Sequence, residues 1–283
     1  MLGAIIGDMY GSIYESNSVN DKRLVYFTKY SLPTDYTIMT IAVSRALLEF
    51  VDETILGGNE EKFKERIIFW MDYYVETVSD AGYGSCFYKW LNSDTKVPYD
   101  SCVNGVTTRV SPIGWFCDSL EDTLAIAKLT AEVTHNHPEE IKGAQAVASA
   151  IYLLRTGSTK KEMKDYIESK FEYNLCQKLD EIREKYTFHE ACQKSLLGAI
   201  IAFLEGDSFE DVVKNAISIG SDSDTIACIA GGLAETIYEI PLNLRMNAAH
   251  NIFEFFPILN HRDVYFYDNV INRKKAVNQI SFI

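Results

Sequence analysis

Glycine recurs at positions 3, 7 and 11 of the opening segment MLGAIIGDMYGSIYE, a four-residue period that puts all three on one face of a helix. Each glycine weakens a helix interior by roughly 1 kcal/mol relative to alanine. A stripe of three therefore points to a second helix packed closely against that face; the alternative is a loop-rich start. Helical periodicity also dominates the rest of the chain. The spacing predicts helices over 34–51, where Ile38, Ile41, Ala42, Ala46 and Leu48 recur near helical intervals, and over 61–78, EKFKERIIFWMDYYVETV. Further helices are predicted over 119–132, 138–156, 160–168, 173–185, 189–204, 208–217, 223–238 and 242–254.

Few segments alternate as strands do, and no low-complexity linker divides the chain. The pattern predicts one all-α domain spanning residues 1–283. Residues 16–33 and 79–112 read as irregular, and a loop as long as the second is often functional. From His261 onward, VYFY and ISFI read as short strands or as terminal packing.

The formal net charge of −13 repels phosphate backbones, so non-specific nucleic-acid binding is not expected. An anionic small substrate would need a local remedy, such as a metal ion or helix N-termini. Cys86, Cys102, Cys117, Cys176, Cys192 and Cys228 form no C-x-x-C pair and read as reduced core thiols of a cytoplasmic protein. The histidines make no H-E-x-x-H pattern. The opening segment lacks a basic start, Asp8 interrupts its apolar run and Glu15 closes it, so it is not read as a signal peptide. No run reaches the roughly 18 apolar residues of a membrane helix.

Two helix starts carry oxygen donors. Thr34 and Asp35 open one; Asp222, Ser223, Asp224 and Thr225 open another. Carboxylates and hydroxyls are the ligands that magnesium and manganese take, and burying carboxylates without compensation is expensive. The plain alternative at both places is helix capping. Glu15 ends the glycine-spaced helix and reads as a surface glutamate or a general base. NGVTTRVSPIGW, residues 104–115, could offer backbone N–H groups to phosphate or be an ordinary loop. His135 and His137, in VTHNHPEE, precede a helix, where histidine is usually structural or exposed.

Taken together and in order, these segments resemble the ADP-ribosylglycohydrolase family. GAIIGDMYGSIYE resembles its opening helix, TDYT stands at its T-D-D-T, NGVTTRVSPIGW at its N-G-x-x-x-R loop, VTHNHPEEIKGAQAVASAI at its T-H helix and GSDSDTIACIAGGLAE at its D-x-D-T, over roughly residues 1–240. The resemblance implies an orthogonal helix bundle holding two Mg2+ or Mn2+ ions. It implies Thr34, Asp35, Asp222, Asp224 and Thr225 as metal ligands and Glu15 as the acid/base group. Asn104, Gly105 and His135 would hold ADP-ribose. The implied reaction is hydrolysis of the bond joining ADP-ribose, or a related ribosyl group, to an acceptor.

Tyr36 departs from the family pattern, which has a metal-ligating aspartate there. A neutral phenol is a poor magnesium ligand. One ion instead of two, with the Tyr36 ring lining a substrate, is one expectation; an ADP-ribose-binding pseudoenzyme is the other. Val103, Val106, Thr107, Thr108 and Ser221 also depart from it, and a branched side chain where backbone approached phosphate is expected to narrow the cleft.

Overall fold

The computed structural model describes residues 1–100, 104–185, 192–220 and 222–255. Among them the regular elements are helices: α1 (Leu2–Ser12), α2 (Asp35–Leu48), α3 (Glu60–Thr77), α4 (Ser85–Leu91), α5 (Ser111–Phe116), α6 (Leu120–Glu132), α7 (Pro138–Arg155), α8 (Lys160–Phe171), α9 (Leu179–Lys185), α10 (Cys192–Glu205), α11 (Phe209–Ile217), α12 (Ser223–Ala234) and α13 (Leu242–Phe255). An isolated parallel bridge joins Tyr99 to His135. No helix among the described residues is long and apolar enough to cross a membrane.

Helix α12 is buried at every position from Ser223 to Ala234. A helix without a polar face belongs in the centre of a core. It packs on α1, α10 and α11, and touches α7. The amphipathic helices outside present one stripe inward: α3 buries Phe63, Ile67, Met71, Tyr74 and Val75, at intervals of three and four residues.

The glycine stripe of α1 lies against α12. A Cβ at Gly3 would fall on the carbonyl of Gly231, one at Gly7 on the carbonyl of Ala227, and one at Gly11 would sit 2.6 Å from Asp224 Cα. Because the start of α1 meets the end of α12, the two run antiparallel. The end of α1 is thereby set beside the start of α12.

Several boundaries differ from the sequence expectations. The segment 79–112 contains α4 and the start of α5, and a 3-10 turn, Lys22–Leu24, interrupts 16–33. Both helices are too short to show a period. The helix expected over 173–185 begins only at Leu179. There Asn174 Oδ1 accepts from Cys176 N at 3.0 Å and Glu168 Oε1 accepts from Leu175 N at 3.0 Å; such local bonds compete with helix formation. Helix α1 ends at Ser12, so Glu15 lies in the bend beyond it rather than at its end. Cys117 and Cys228 are buried thiols as expected, but Cys86 and Cys176 are exposed. Val103, Ser221, VYFY and ISFI lie outside the described residues.

Candidate active-site cleft

Where the end of α1 and the starts of α2 and α12 converge, a cavity of about 390 Å³ opens. Glu15, Thr34, Asp35, Tyr36 and Asp224 line it, together with Asn104, Gly105, Arg109, Tyr99 and His135. The segment leading into α4, with Gly84 and Cys86, completes the wall. Asp222 and Thr225 stand behind the lining and join it through hydrogen bonds.

Asp8, on α1, is wholly buried and ties α1 to α2. Its carboxylate accepts from Thr34 N (3.0 Å), Thr34 Oγ1 (2.6 Å), Thr37 N (3.2 Å) and Thr37 Oγ1 (2.5 Å). It satisfies N–H groups that the first turn of α2 leaves free. Thr34 is itself the N-cap of α2, accepting from Tyr36 N at 3.3 Å. The capping reading holds for Thr34. It fails for Asp222, the N-cap of α12 by position, whose side chain makes no capping bond. Its backbone is left-handed (φ 40°, ψ 32°), a region uncommon for side-chain-bearing residues and best tolerated among them by aspartate and asparagine. Its Oδ2 accepts from Asn104 Nδ2 at 2.7 Å and Ser195 Oγ at 2.6 Å, and its Oδ1 from Thr225 Oγ1 at 3.0 Å. Asp224 turns back to accept from Thr225 N at 2.8 Å.

The acidic groups act on one another. Burial raises the pKa of Asp35, and the carboxylates of Asp8 and Glu15 raise it further. Burial does the same to Asp224, with Asp8, Glu15 and Asp222 adding to it. Burial outweighs four hydrogen bonds to bring Asp8 up to about 6. Glu15 is exposed at the rim, and partial burial followed by the charge of Asp222 raises its carboxyl. No cationic side chain stands among the charges acting most strongly on Asp35 or Asp224.

The rest of the wall is uncharged apart from Arg109, and mixes polar Ser85, Asn104 and His135 with the apolar side chains of Met39, Ala81 and Phe87. The guanidinium of Arg109 is buried, donating to Thr130 O at 3.1 Å and Thr134 Oγ1 at 2.7 Å. Thr134 Oγ1 lies 2.7 Å from His135 Nδ1, and the His135 ring packs on Tyr99 with centroids 4.5 Å apart. Burial, then the neighbouring Arg109, lowers the imidazole pKa to about 3. His137 instead caps α7, its Nδ1 accepting from Glu139 N at 3.2 Å.

The sequence profile of the ADP-ribosylglycohydrolase family matches residues 1–246. The chain belongs to that family. It is similar to the ADP-ribosylhydrolase ARH3 of Xenopus tropicalis, 23% identical over 88% of this chain and 89% of that protein. The human ADP-ribosylhydrolase ARH3 is 24% identical, with 84% of each chain covered. Among solved structures, an ADP-ribosylglycohydrolase-related protein complex superposes with a TM-score of 0.62 at 20% identity, covering 94% of this chain and 96% of that one. The structural likeness shows that the two share a fold.

This member of the ADP-ribosylglycohydrolase family handles its departures differently from the sequence expectation. Val106, Thr107 and Thr108 point into the core, where each is buried, and none lines the cavity. They do not narrow it. Tyr36 does line it. Burial, then the charges of Asp224, Asp35 and Asp222, pushes the phenol pKa well up, so Tyr36 is a neutral group among three carboxylates. Among the described residues, no three His, Cys, Asp or Glu groups close on one point as a ready ligand set. The carboxylate and hydroxyl oxygens gathered here are donors of the kind that a hard divalent ion takes. Tyr36 contributes a neutral phenol where a further carboxylate would add charge.

Asp8 and Ser195 were not picked out by the sequence patterns as site residues, and Arg109 and Thr134, though inside the N-G-x-x-x-R and T-H motifs, were given no role there. Asp8 carried a signal: a carboxylate inside an apolar helical run must be paired once buried. Ser195 carried none.

Proposed function

We propose that this chain, acting as a single domain, is a hydrolase that cleaves the glycosidic bond between ADP-ribose, or a related ribosyl group, and an acceptor. The observation that carries this reading is the gathering of Glu15, Asp35 and Asp224 in the wall of a cavity otherwise uncharged apart from the buried Arg109, with the nearby Asp8 and Asp222 adding their charge. Family membership and the similarity to proteins named ADP-ribosylhydrolase support it.

Asp35, Asp222 and Asp224, with the hydroxyls of Thr34 and Thr225, would hold one Mg2+ or Mn2+. When bound, such an ion orients ribose hydroxyls and lowers the pKa of a water. Glu15 is the acid/base candidate: it is at the rim, open to substrate, and its carboxyl pKa is raised toward the range in which proton transfer works in both directions. Asn104, Gly105 and His135 bind ADP-ribose, and Tyr36 shields the acidic groups from bulk water. Asp224→Ala is expected to abolish release of ADP-ribose from a modified acceptor while leaving the circular-dichroism spectrum and unfolding transition in place. Full activity in that variant would sink the mechanism.

A second reading is favoured by Tyr36 itself: a neutral phenol among the carboxylates would leave an ADP-ribose-binding protein without turnover. Thermal stability against Mg2+ or Mn2+, with and without ADP-ribose, separates the two. A metal-dependent shift in the unaltered protein supports the hydrolase. A shift confined to Tyr36→Asp supports the binder.

A further inference from the structure

We infer that Arg109 and Thr134 are positioning residues that fix His135 as its Nε2–H tautomer, so that the cleft offers a bound ligand a neutral hydrogen-bond donor. A guanidinium has protons to give and no acceptor. Arg109 Nη2 therefore donates to Thr134 Oγ1, at 2.7 Å. That leaves the hydroxyl with its own single proton to place, and His135 Nδ1 lies 2.7 Å away. If Nδ1 carried a proton instead, Thr134 Oγ1 would accept twice and its own proton would be left in a wholly buried site without an acceptor. The direction of donation thus runs from Arg109 to Thr134 to Nδ1, and the ring proton sits on Nε2.

The backbone holds the relay in register. Tyr99 N donates to Thr134 O at 2.9 Å, Asn136 N donates to Tyr99 O at 3.3 Å, and His135 N donates to Ala131 O at 3.0 Å. His135 is 1% exposed, and its Nε2 is buried without a hydrogen-bond partner although the residue lines the cavity. Asn104 Oδ1, on the same wall, is a buried acceptor in the same condition, because its Nδ2 is used by Asp222. The cavity-lining residues therefore carry two unmet donors, His135 Nε2 and Arg109 Nε, and one unmet acceptor, Asn104 Oδ1. A sugar hydroxyl, which accepts and donates, answers His135 Nε2 and Asn104 Oδ1. Burial and the Arg109 charge keep the ring uncharged through neutral pH, so recognition here is by hydrogen-bond direction and not by charge.

The ligand in this inference rests on the proposed function; the tautomer does not. The test is a two-bond proton–nitrogen correlation spectrum of the full chain labelled at histidine, with His135→Gln used to assign the signal. The expected result is a protonated Nε2 and a bare Nδ1 in the unaltered protein. Thr134→Val should populate the Nδ1–H form and weaken ADP-ribose binding by about tenfold, the loss of one hydrogen bond, and Thr134→Ser should restore both. A protonated Nδ1 on His135 in the unaltered protein overturns the relay. So does an unchanged tautomer in Thr134→Val. The expected tautomer with no binding of ADP-ribose would overturn the ligand and leave the relay standing.

Discussion

His135 and Arg109 are buried side by side, and the consequence at the residue scale is a pH dependence whose sign is fixed. The imidazole pKa falls from 6.5 to about 3 on folding, first from burial and then from the Arg109 charge. Below 6.5 the unfolded chain binds this proton and the folded chain does not, so the stability from this group is present at neutral pH and is lost as pH falls from 6.5 toward 3. Between pH 7 and 5 the loss amounts to about 2 kcal/mol. His135→Gln should lose less stability over that interval, measured by urea unfolding at both pH values. Equal losses in the two proteins would show that His135 is protonated in the fold. Tyr36 belongs to the same scale. Its exchange for aspartate adds a carboxylate to a set already lacking a counter-charge, so Tyr36→Asp is expected to be less stable without metal and to gain more from Mg2+ than the unaltered protein, read by thermal unfolding.

At the scale of elements, the site depends on how closely α1 approaches α12. Gly7→Ala would put a methyl group 2.5 Å from the carbonyl carbon of Ala227, where only backbone can yield. The two helices must separate, at about 2–3 kcal/mol or more. The separation also carries Glu15 away from Asp222, so activity should fall further than stability alone explains. Gly84, at the start of α4, has nothing within 4 Å of a built Cβ and an ordinary backbone angle (φ −65°), so Gly84→Ala should stay within about 0.5 kcal/mol of the unaltered protein. Chemical denaturation of the pair checks the contrast; equal effects would mean that the glycine stripe is not what sets the approach. Reading this stripe from sequence was straightforward, because a four-residue period of glycine has few uses in a helix. Finding Asp222 in a left-handed turn was not. That conformation comes with the loop into α12, and the Asp222 carboxylate is held by Thr225 of the same turn and by Asn104 and Ser195, brought to it from two other stretches of chain.

At the scale of the whole molecule, a net charge of −13 sets the surroundings in which the cleft works. The protein should leave duplex DNA unshifted on a gel at about 150 mM salt, since it offers no excess of cations to replace condensed counterions; a retarded band would reveal a basic patch that the net charge hides. The sequence by itself determined the helical class, the face by which α1 packs, the ordered motifs that place the chain in the ADP-ribosylglycohydrolase family, and the anomaly at Tyr36. Each is written in spacing along the chain, and helical burial repeats every three or four residues. Tertiary structure alone decided that Asp8 holds the start of α2, that Val106, Thr107 and Thr108 turn into the core, and that Arg109 reaches His135 through Thr134. These depend on side chains far apart in sequence meeting at a particular crossing of helices, and no local period records where such a crossing falls.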